Sequence, residues 1–366
     1  MKTGKSLSDL ATEITRQNAV KQDLIVPEAS LVMSMVEDWN ASAAADPTVL
    51  ANRSGEVRHP LTGYAHNQLA SHIKIPTRYY QRMLTESPSL LAQNVNNWLP
   101  KQSGNRMLRT MDGNIRAFLS DKYFPIDNYD LLEVVLPIIQ RMGGTVLSCE
   151  VTDSHLYVKV VTDKLTGELA LGDHVRGGFV FSNSEIGMGK ANFDPFIERL
   201  VCTNGMIVAD HMLGTSRRHI GRRIDDADIF YSDSTRKLDI RAFISKVGDM
   251  AEAVLDRGNF DKIVEQFKAT KEVHAISDGE SVADVGAIVT NVTKKFSLTE
   301  GEEKGVLAHL VQGGDLSGFG LVNAVTRMAE DTGSYDRATE VERFGGMMTG
   351  WSVADWKTVG MTREVV

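Results

Sequence analysis

The most constraining stretch of this chain is RMLRTMDGNIRAFLS, residues 106–120. Its centre, Asp112-Gly113, is a favoured two-residue hairpin turn, because both central positions of such a turn need positive φ. With Met111 and Asn114 flanking the turn, Arg109 is predicted opposite Arg116. Met107 then faces Phe118 on the same side, because side chains alternate along a strand. The other side carries Leu108, Thr110, Ile115, Ala117 and Leu119, a good core face.

Around this hairpin the periodicity changes twice. Pro76 and Pro88 each start a short helical pattern, and the pair has the outline of a helix-turn-helix, although most such pairs only pack a core. Tyr129–Met142 reads as a helix closed by Gly143-Gly144, with Pro137 predicting a kink or a late start. Residues 145–150, 155–161, 168–171 and 178–182 read as strands. From Ser234 onward the patterns are helical: 234–267, 278–295, 299–312, 316–331 and 337–350. The expected fold is α+β, a mostly antiparallel sheet with flanking helices followed by a helical C-terminal module. The expected organisation is a partly flexible N-terminal arm (1–60), an α+β core domain (61–232) and the helical module (233–366).

Composition excludes several classes. A hydrophobic share of 42% and a charged share of 24% fit an ordinary globular protein. The net charge of −8 excludes a polycation that coats nucleic acid indiscriminately, so any such site must be a local basic patch. Two cysteines, Cys149 and Cys202, make no disulfide framework and point to a reduced compartment. The first residues lack the apolar core of a signal peptide, and no run is long enough to span a membrane. A soluble cytoplasmic protein is expected, with no membrane partner, no cofactor and no metal.

Two arginine-rich elements stand out against this acidic background. Arg109 directly opposite Arg116 is mildly destabilising unless an anion or carboxylate sits between them. Arginine beside Phe118 is also the composition of a surface that holds phosphates and stacks bases. Neutralisation by acidic neighbours is the competing explanation. The second element is SRRHIGRR, residues 216–223, where Arg217, Arg218, Arg222 and Arg223 accompany His219. Arginine's fork suits phosphate oxygens, but Asp225, Asp226 and Asp228 follow at once and could pair with it internally.

Between these elements, the fifty residues from His174 to Arg223 hold a strand-like run, a short helical pattern and two turns. Asn183, Ser184 and Glu185 precede Gly187, Gly189 and Lys190. A glycine-rich turn with a lysine can cradle phosphate, but this one lacks the P-loop spacing and reads better as a connecting turn. Phe196–Val201 is apolar, with Glu198 and Arg199 expected to face outward. Cys202 beside His211 and His219, perhaps with Asp210, could suggest a nucleophile or a metal site, yet the spacing matches neither.

The segments IRAFLSDKYFPIDN (115–128), FSNSEIGMGKANFDPFIERLVCTNGM (181–206) and RRHIGR (217–222) resemble the phage- and plasmid-borne family catalogued as domain of unknown function 932. LASHIKIPTRYYQRM (69–83), NVNNWL (94–99) and LVNAVTRMAED (321–331) resemble its helical parts. The resemblance covers roughly residues 60–350 and implies a mobile-element protein of the bacterial cytoplasm. It brings no established activity and no catalytic residues.

The function expected on these grounds is single-stranded nucleic-acid binding or annealing in recombination or replication, by a non-enzymatic homo-oligomer. Arg106, Arg109, Arg116, Phe118 and Lys190 would line one groove with Arg217, Arg218, His219, Arg222 and Arg223, and Tyr123 or Phe124 would help stack bases. Alternation makes Arg106 the weakest member. One alternative is a metal-dependent enzyme on phosphoesters using Asp112, Asp121, Asp127, Glu185, Asp194 and Glu198. Another is an interaction protein that blocks a host defence factor.

Overall fold

The computed structural model describes residues 1–36, 47–52, 58–189, 191–201, 204–208, 253–275 and 282–363, with isolated positions between 242 and 251. The first elements are α1 (Leu7–Val20), β1 (Gln22–Pro27), β2 (Leu31–Met35), β3 (Thr48–Asn52) and β4 (Arg58–Pro60). Three helices follow, α2 (Gly63–His72), α3 (Thr77–Glu86) and α4 (Pro88–Trp98). The hairpin strands are β5 (Asn105–Met111) and β6 (Asn114–Ser120), and α5 (Asn128–Arg141) follows them. The large sheet uses β7 (Gly144–Val151), β8 (Leu156–Ala170), β9 (Asp173–Asn183), β10 (Asn192–Arg199) and β11 (Asn204–Ile207). Beyond residue 256 come α6 (Arg257–Ala269), β12 (Val273–Ala275), α7 (Val282–Phe296), α8 (Glu300–Gly313), α9 (Gly318–Met328), α10 (Tyr335–Thr349), α11 (Val353–Thr358) and β13 (Met361–Arg363). The architecture is α+β, with antiparallel sheets and a helical C-terminal region.

The hairpin forms where expected. Asp112 and Gly113 take φ of 49° and 77°, as the turn demands. Its register differs from the expectation. A bulge after Arg109 pairs Thr110 with Ile115 but Arg109 with Ala117, so Arg116 is the extra residue rather than the partner of Arg109. Leu108 therefore meets Phe118, and Met107 meets Leu119. The face that packs on the helices carries Leu108, Ile115 and Phe118, against Leu69, Tyr80, Leu91 and Val95 of α2–α4.

The first twenty-seven residues are built into this framework instead of forming a loose arm. β1 pairs along β5 from Gln22–Thr110 to Pro27–Asn105. Leu10 and Ile14 of α1 are buried against Leu131, Val135 and Ile138 of α5. Lys5 donates its backbone N–H to the Cys149 carbonyl at 2.7 Å, covering the β7 edge of the large sheet.

That sheet has strand order β11-β10-β9-β8-β7 and is covered on both faces. On one face Val158, Val160, Phe179 and Phe181 meet α1 and α5. On the other, Val161, Val180, Phe196 and Ile207 form a small cluster, and Lys159 pairs with Glu342 of α10. Double coverage explains why β10 resembles a short helix in sequence: six consecutive residues from Phe193 to Glu198 are buried, so no alternation shows. Glu198 is buried beside Arg176 and does not face outward.

The C-terminal helices share a core with the far end of the sheet. Leu165, Val175, Ile197 and Met206 pack with Phe260, Phe267, Val292, Val322 and Val341. Their starts are capped by Asp256, Thr299, Ser317, Ser334 and Ser352, the residue types that satisfy free N–H groups at a helix start. The expected boundary near Ser232 lies outside the described residues.

Candidate functional site: a buried ionic network between the two sheets

The hairpin arginines and the Asn183–Glu185 segment converge on one place. Arg109 is fully buried where β5 faces the start of α5. Its Nε donates to Asp23 Oδ1 at 2.8 Å, Nη2 to Asp127 Oδ1 at 2.7 Å and Nη1 to the Glu185 carbonyl at 2.7 Å. Each side of the guanidinium thus meets an acceptor from a different part of the chain. Burial works to depress the Arg109 pKa, but Asp127, Asp23 and Glu185 outweigh it and the shift is upward. Arg109 is therefore a permanent cation.

Glu185 is the second centre. One carboxylate oxygen accepts the backbone N–H of Asn128 at 2.7 Å. Asp127, the N-cap of α5, makes no side-chain cap of its own, so Glu185 supplies an anion where the helix start favours one. The other oxygen lies 2.6 Å from Arg116 Nη2, and Lys21 Nζ lies 2.9 Å from Asp127 and 3.6 Å from Glu185. Arg116 and Glu185 are close but poorly aligned: Arg116 Nε, Arg116 Nη2 and Glu185 Oε2 make no well-directed hydrogen bond. Burial acts to raise the Asp127 pKa, yet Arg109 and Lys21 overcome it and hold the carboxyl down at about 2.

Asn183 completes the clamp by donating to the Ile126 carbonyl at 3.0 Å and to Asn128 Oδ1 at 2.8 Å. Ser184 Oγ accepts the Met188 N–H at 3.1 Å, closing the turn that carries Gly187 at φ +77°. The segments DKYFPIDN and SNSEIG therefore hold one another. The network contains Lys21, Arg109 and Arg116 against Asp23, Asp127 and Glu185, so its formal charges cancel.

This arrangement corrects the picture of an open groove on the hairpin. Arg109 and Arg116 face inward onto carboxylates. Arg106 Nε donates to Glu28 Oε1 at 2.9 Å, and its Nη2 lies 2.8 Å from His72 Nδ1. Phe118 is buried among α2–α4, with the Arg106 guanidinium 5.7 Å from its ring, so its faces are not free for a base. Tyr123 donates to the Ser184 carbonyl at 3.4 Å, and burial pushes its pKa upward. Phe124 packs against the α1–α5 core. Lys190, Cys202, Asp210, His211, Arg217, Arg218, His219, Arg222 and Arg223 lie outside the described residues.

The carboxylates expected of a metal enzyme are similarly engaged. Asp112 pairs with Arg16, Asp194 with Arg343 and Glu198 with Arg176, while Asp127 and Glu185 belong to the network. Asp121 accepts from Ser120 Oγ at 3.3 Å. Among the described residues no three His, Cys, Asp or Glu side chains gather as a metal-binding group.

Two polar clusters have no local signal in sequence. Lys159 and Glu342 form a fully buried pair at 2.5 Å, assembled from positions 183 apart. Ser154, His155 and Asp336 have the residue types of a hydrolase triad without its geometry. Ser154 Oγ lies 2.8 Å, and Asp336 Oδ1 3.5 Å, from the same ring nitrogen, Nδ1. A relay needs the two partners on opposite nitrogens. Burial acts to raise the Asp336 pKa, but hydrogen bonds from His155, Tyr157, Ser154 and Thr152 prevail and lower it. The cluster is a hydrogen-bonded anchor between the β7–β8 turn and α10.

Among the described residues no helix is long and apolar enough to cross a membrane. No curated protein and no solved structure matches the chain. A family model does match, over residues 117–347, and it begins inside the hairpin and takes in both segments of the clamp. With well over half of its length so matched, the chain belongs to the family described as Domain of unknown function (DUF932).

Proposed function

We propose that this protein binds single-stranded nucleic acid without catalysing a reaction, and that its contact is made by Ser216–Arg223 rather than by the hairpin. One observation carries the reading. Arg106, Arg109 and Arg116 each have a carboxylate partner within the fold. SRRHIGRR, by contrast, concentrates four arginines in seven residues of a chain with net charge −8. Arg217, Arg218, Arg222 and Arg223, with His219 and Lys190, are the proposed phosphate contacts. Stacking passes from Phe118 to exposed rings such as Trp98, which is 43% exposed and has Lys101 Nζ 4.4 Å from its centroid.

The process we assign to such a binder is strand annealing during phage or plasmid recombination or replication, by a homo-oligomer in a bacterial cytoplasm. Phosphoester catalysis is the weaker reading, because most of the carboxylates it needs already hold cations. Fluorescence-anisotropy titration with a short labelled single strand tests the proposal. Saturable binding that weakens as salt rises supports it, and no binding at low salt refutes it.

A further inference from the structure

Two adjacent helices and the turn between them make a basic surface that the ionic network does not use. α2 ends at His72 and α3 begins at Thr77, so four residues, Ile73 to Pro76, join them. Lys74 in that turn takes φ of 59°, the left-handed conformation that lets the chain leave one helix and enter the next at once. The two helices are braced against each other. His66 Nδ1 of α2 and the Tyr80 hydroxyl of α3 lie 2.8 Å apart in the core, and Gln81 Nε2 donates to Asn67 Oδ1 at 3.0 Å. Leu69, Ala70, Ile73, Ile75, Tyr80 and Met83 are buried, so the apolar stripe runs through the turn from one helix into the other. This is the outline of a helix-turn-helix. It lies one helix earlier than Pro76 and Pro88 predict, because Ser87 alone separates α3 from α4.

The outer face of α3 has the composition of a reading helix. Thr77, Arg78, Tyr79, Arg82 and Thr85 are exposed. Arg78 and Arg82 stand one above the other at i,i+4, and Lys74 is exposed in the turn that precedes them. Lys74 and Arg78 make no ion pair with a described residue. Arg82 Nε donates to Glu86 Oε2 at 2.8 Å, but both side chains are open to solvent, where such a pair is worth little and gives way easily. From Arg58 to Met111 the chain carries seven Lys and Arg residues and one acidic residue, Glu86, although its net charge is −8. Glu86 closes α3, about 12 Å along the axis from Arg78, so it does not oppose an anion held at the start of the helix.

Shape decides which polyanion fits. A single strand is held by a groove with aromatic platforms, whereas this surface is a rigid convex rod with one ring, Tyr79, on its outer face. With its side chains such a rod is about 10–12 Å across, and the major groove of duplex DNA is about 12 Å wide. We infer that α2 and α3 form a second nucleic-acid site, for duplex DNA, with α3 in the major groove. Arg78 and Arg82 meet guanine edges, Thr77 and Tyr79 meet thymine methyl groups, and Lys74 holds a phosphate at the groove's rim. This site does not depend on strand binding by Ser216–Arg223.

Anisotropy titration of the full chain with a labelled duplex of about 20 base pairs, at several salt concentrations, tests the inference. Saturable binding is expected, displaced by the major-groove ligand methyl green and not by the minor-groove ligand netropsin. Changing Lys74, Arg78 and Arg82 together to glutamine should lower the slope of log K against log salt by about 2 to 3, and Arg78→Ala alone by about 1. All three side chains are exposed, so thermal midpoints should not move. Lys304→Gln, on the exposed face of α8, should leave the slope as it is. Alanine at Arg217, Arg218, Arg222 and Arg223 should leave duplex binding intact, which separates this site from the one proposed for single strands. No saturable duplex binding at low salt, displacement by netropsin alone, or an unchanged slope in the triple variant overturns the inference. So does loss of duplex binding in the fourfold alanine variant.

Discussion

Arg109 donates Nη1 to the backbone carbonyl of Glu185 at 2.7 Å, although 76 residues separate the two. The bond fastens the central strand of the small sheet to the turn that leaves the large one. It also places a buried cation beside the carboxylate that caps α5. Arg109 and Arg116 are therefore the joint between two sheets, and this role leaves them unavailable to an external phosphate.

Replacing Arg109 with methionine keeps the volume but strands Asp23 and Asp127. Breaking a buried ion pair by removing one partner costs about 3–5 kcal/mol. Urea denaturation should show a loss in that range, with unfolding slopes unchanged. A loss under about 1 kcal/mol would mean that the network is solvated and the joint unimportant.

Acid should loosen the same joint. Asp127 is held at about 2 against an ordinary value of 3.8. A carboxyl whose folded pKa lies below its unfolded one stabilises the fold fully above the unfolded value. That contribution, about 2 kcal/mol here, disappears as pH falls from about 4 through 2. Asp127→Asn should remove this part of the acid-stability profile. Glu302, held at about 2 chiefly by its hydrogen bond from Arg337, titrates in the same window, so wild type and variant must be compared directly.

What could be read from the residues alone follows a physical division. The Asp112-Gly113 turn and the proline-started helices α3 and α4 were legible because turn and cap chemistry is local. The bulge at Arg109 was not, since nothing in RMLRTM marks one extra residue on the facing strand. β10 was hidden because coverage on both faces erases the two-residue period. The site was half legible. Arg109, Arg116, Asp127 and Glu185 stood out as charges, but their pairing with one another depends on contacts across 18 to 76 residues. Lys21 and Asp23 gave no signal at all; only the pairing of β1 with β5 brings Asp23 opposite Arg109.

The Lys159–Glu342 pair should behave as a unit. Both side chains are fully buried, and Glu342 Oε1 lacks a hydrogen-bond partner. Lys159→Met alone leaves an isolated carboxylate and should cost about 3–5 kcal/mol. Adding Glu342→Leu should restore most of it, because apolar replacements of buried pairs are often neutral. Additive losses in the double variant would contradict this coupling.

Docking of α10 on the sheet depends on a glycine. A Cβ at Gly346 would lie 2.0 Å from the Ile207 carbonyl oxygen, closer than any backbone contact permits. Gly346→Ala should displace α10 from β11 at a cost of about 1–3 kcal/mol, the usual range for overpacking. Faster amide exchange in β11 than in β7 would report the displacement, and an unchanged exchange pattern would contradict it.

Strand contact is proposed to lie in the second arginine cluster and not in the hairpin. The most direct measurement compares the salt dependence of single-strand affinity for the wild type and for a variant with Arg217, Arg218, Arg222 and Arg223 all changed to alanine. Four lost phosphate contacts should reduce the slope of log K against log salt by about 3. Arg106→Ala, which removes the hairpin's contacts with Glu28 and His72, should leave that slope unchanged. Equal slopes for the wild type and the fourfold variant, or a reduction that appears only with Arg106→Ala, would contradict the account.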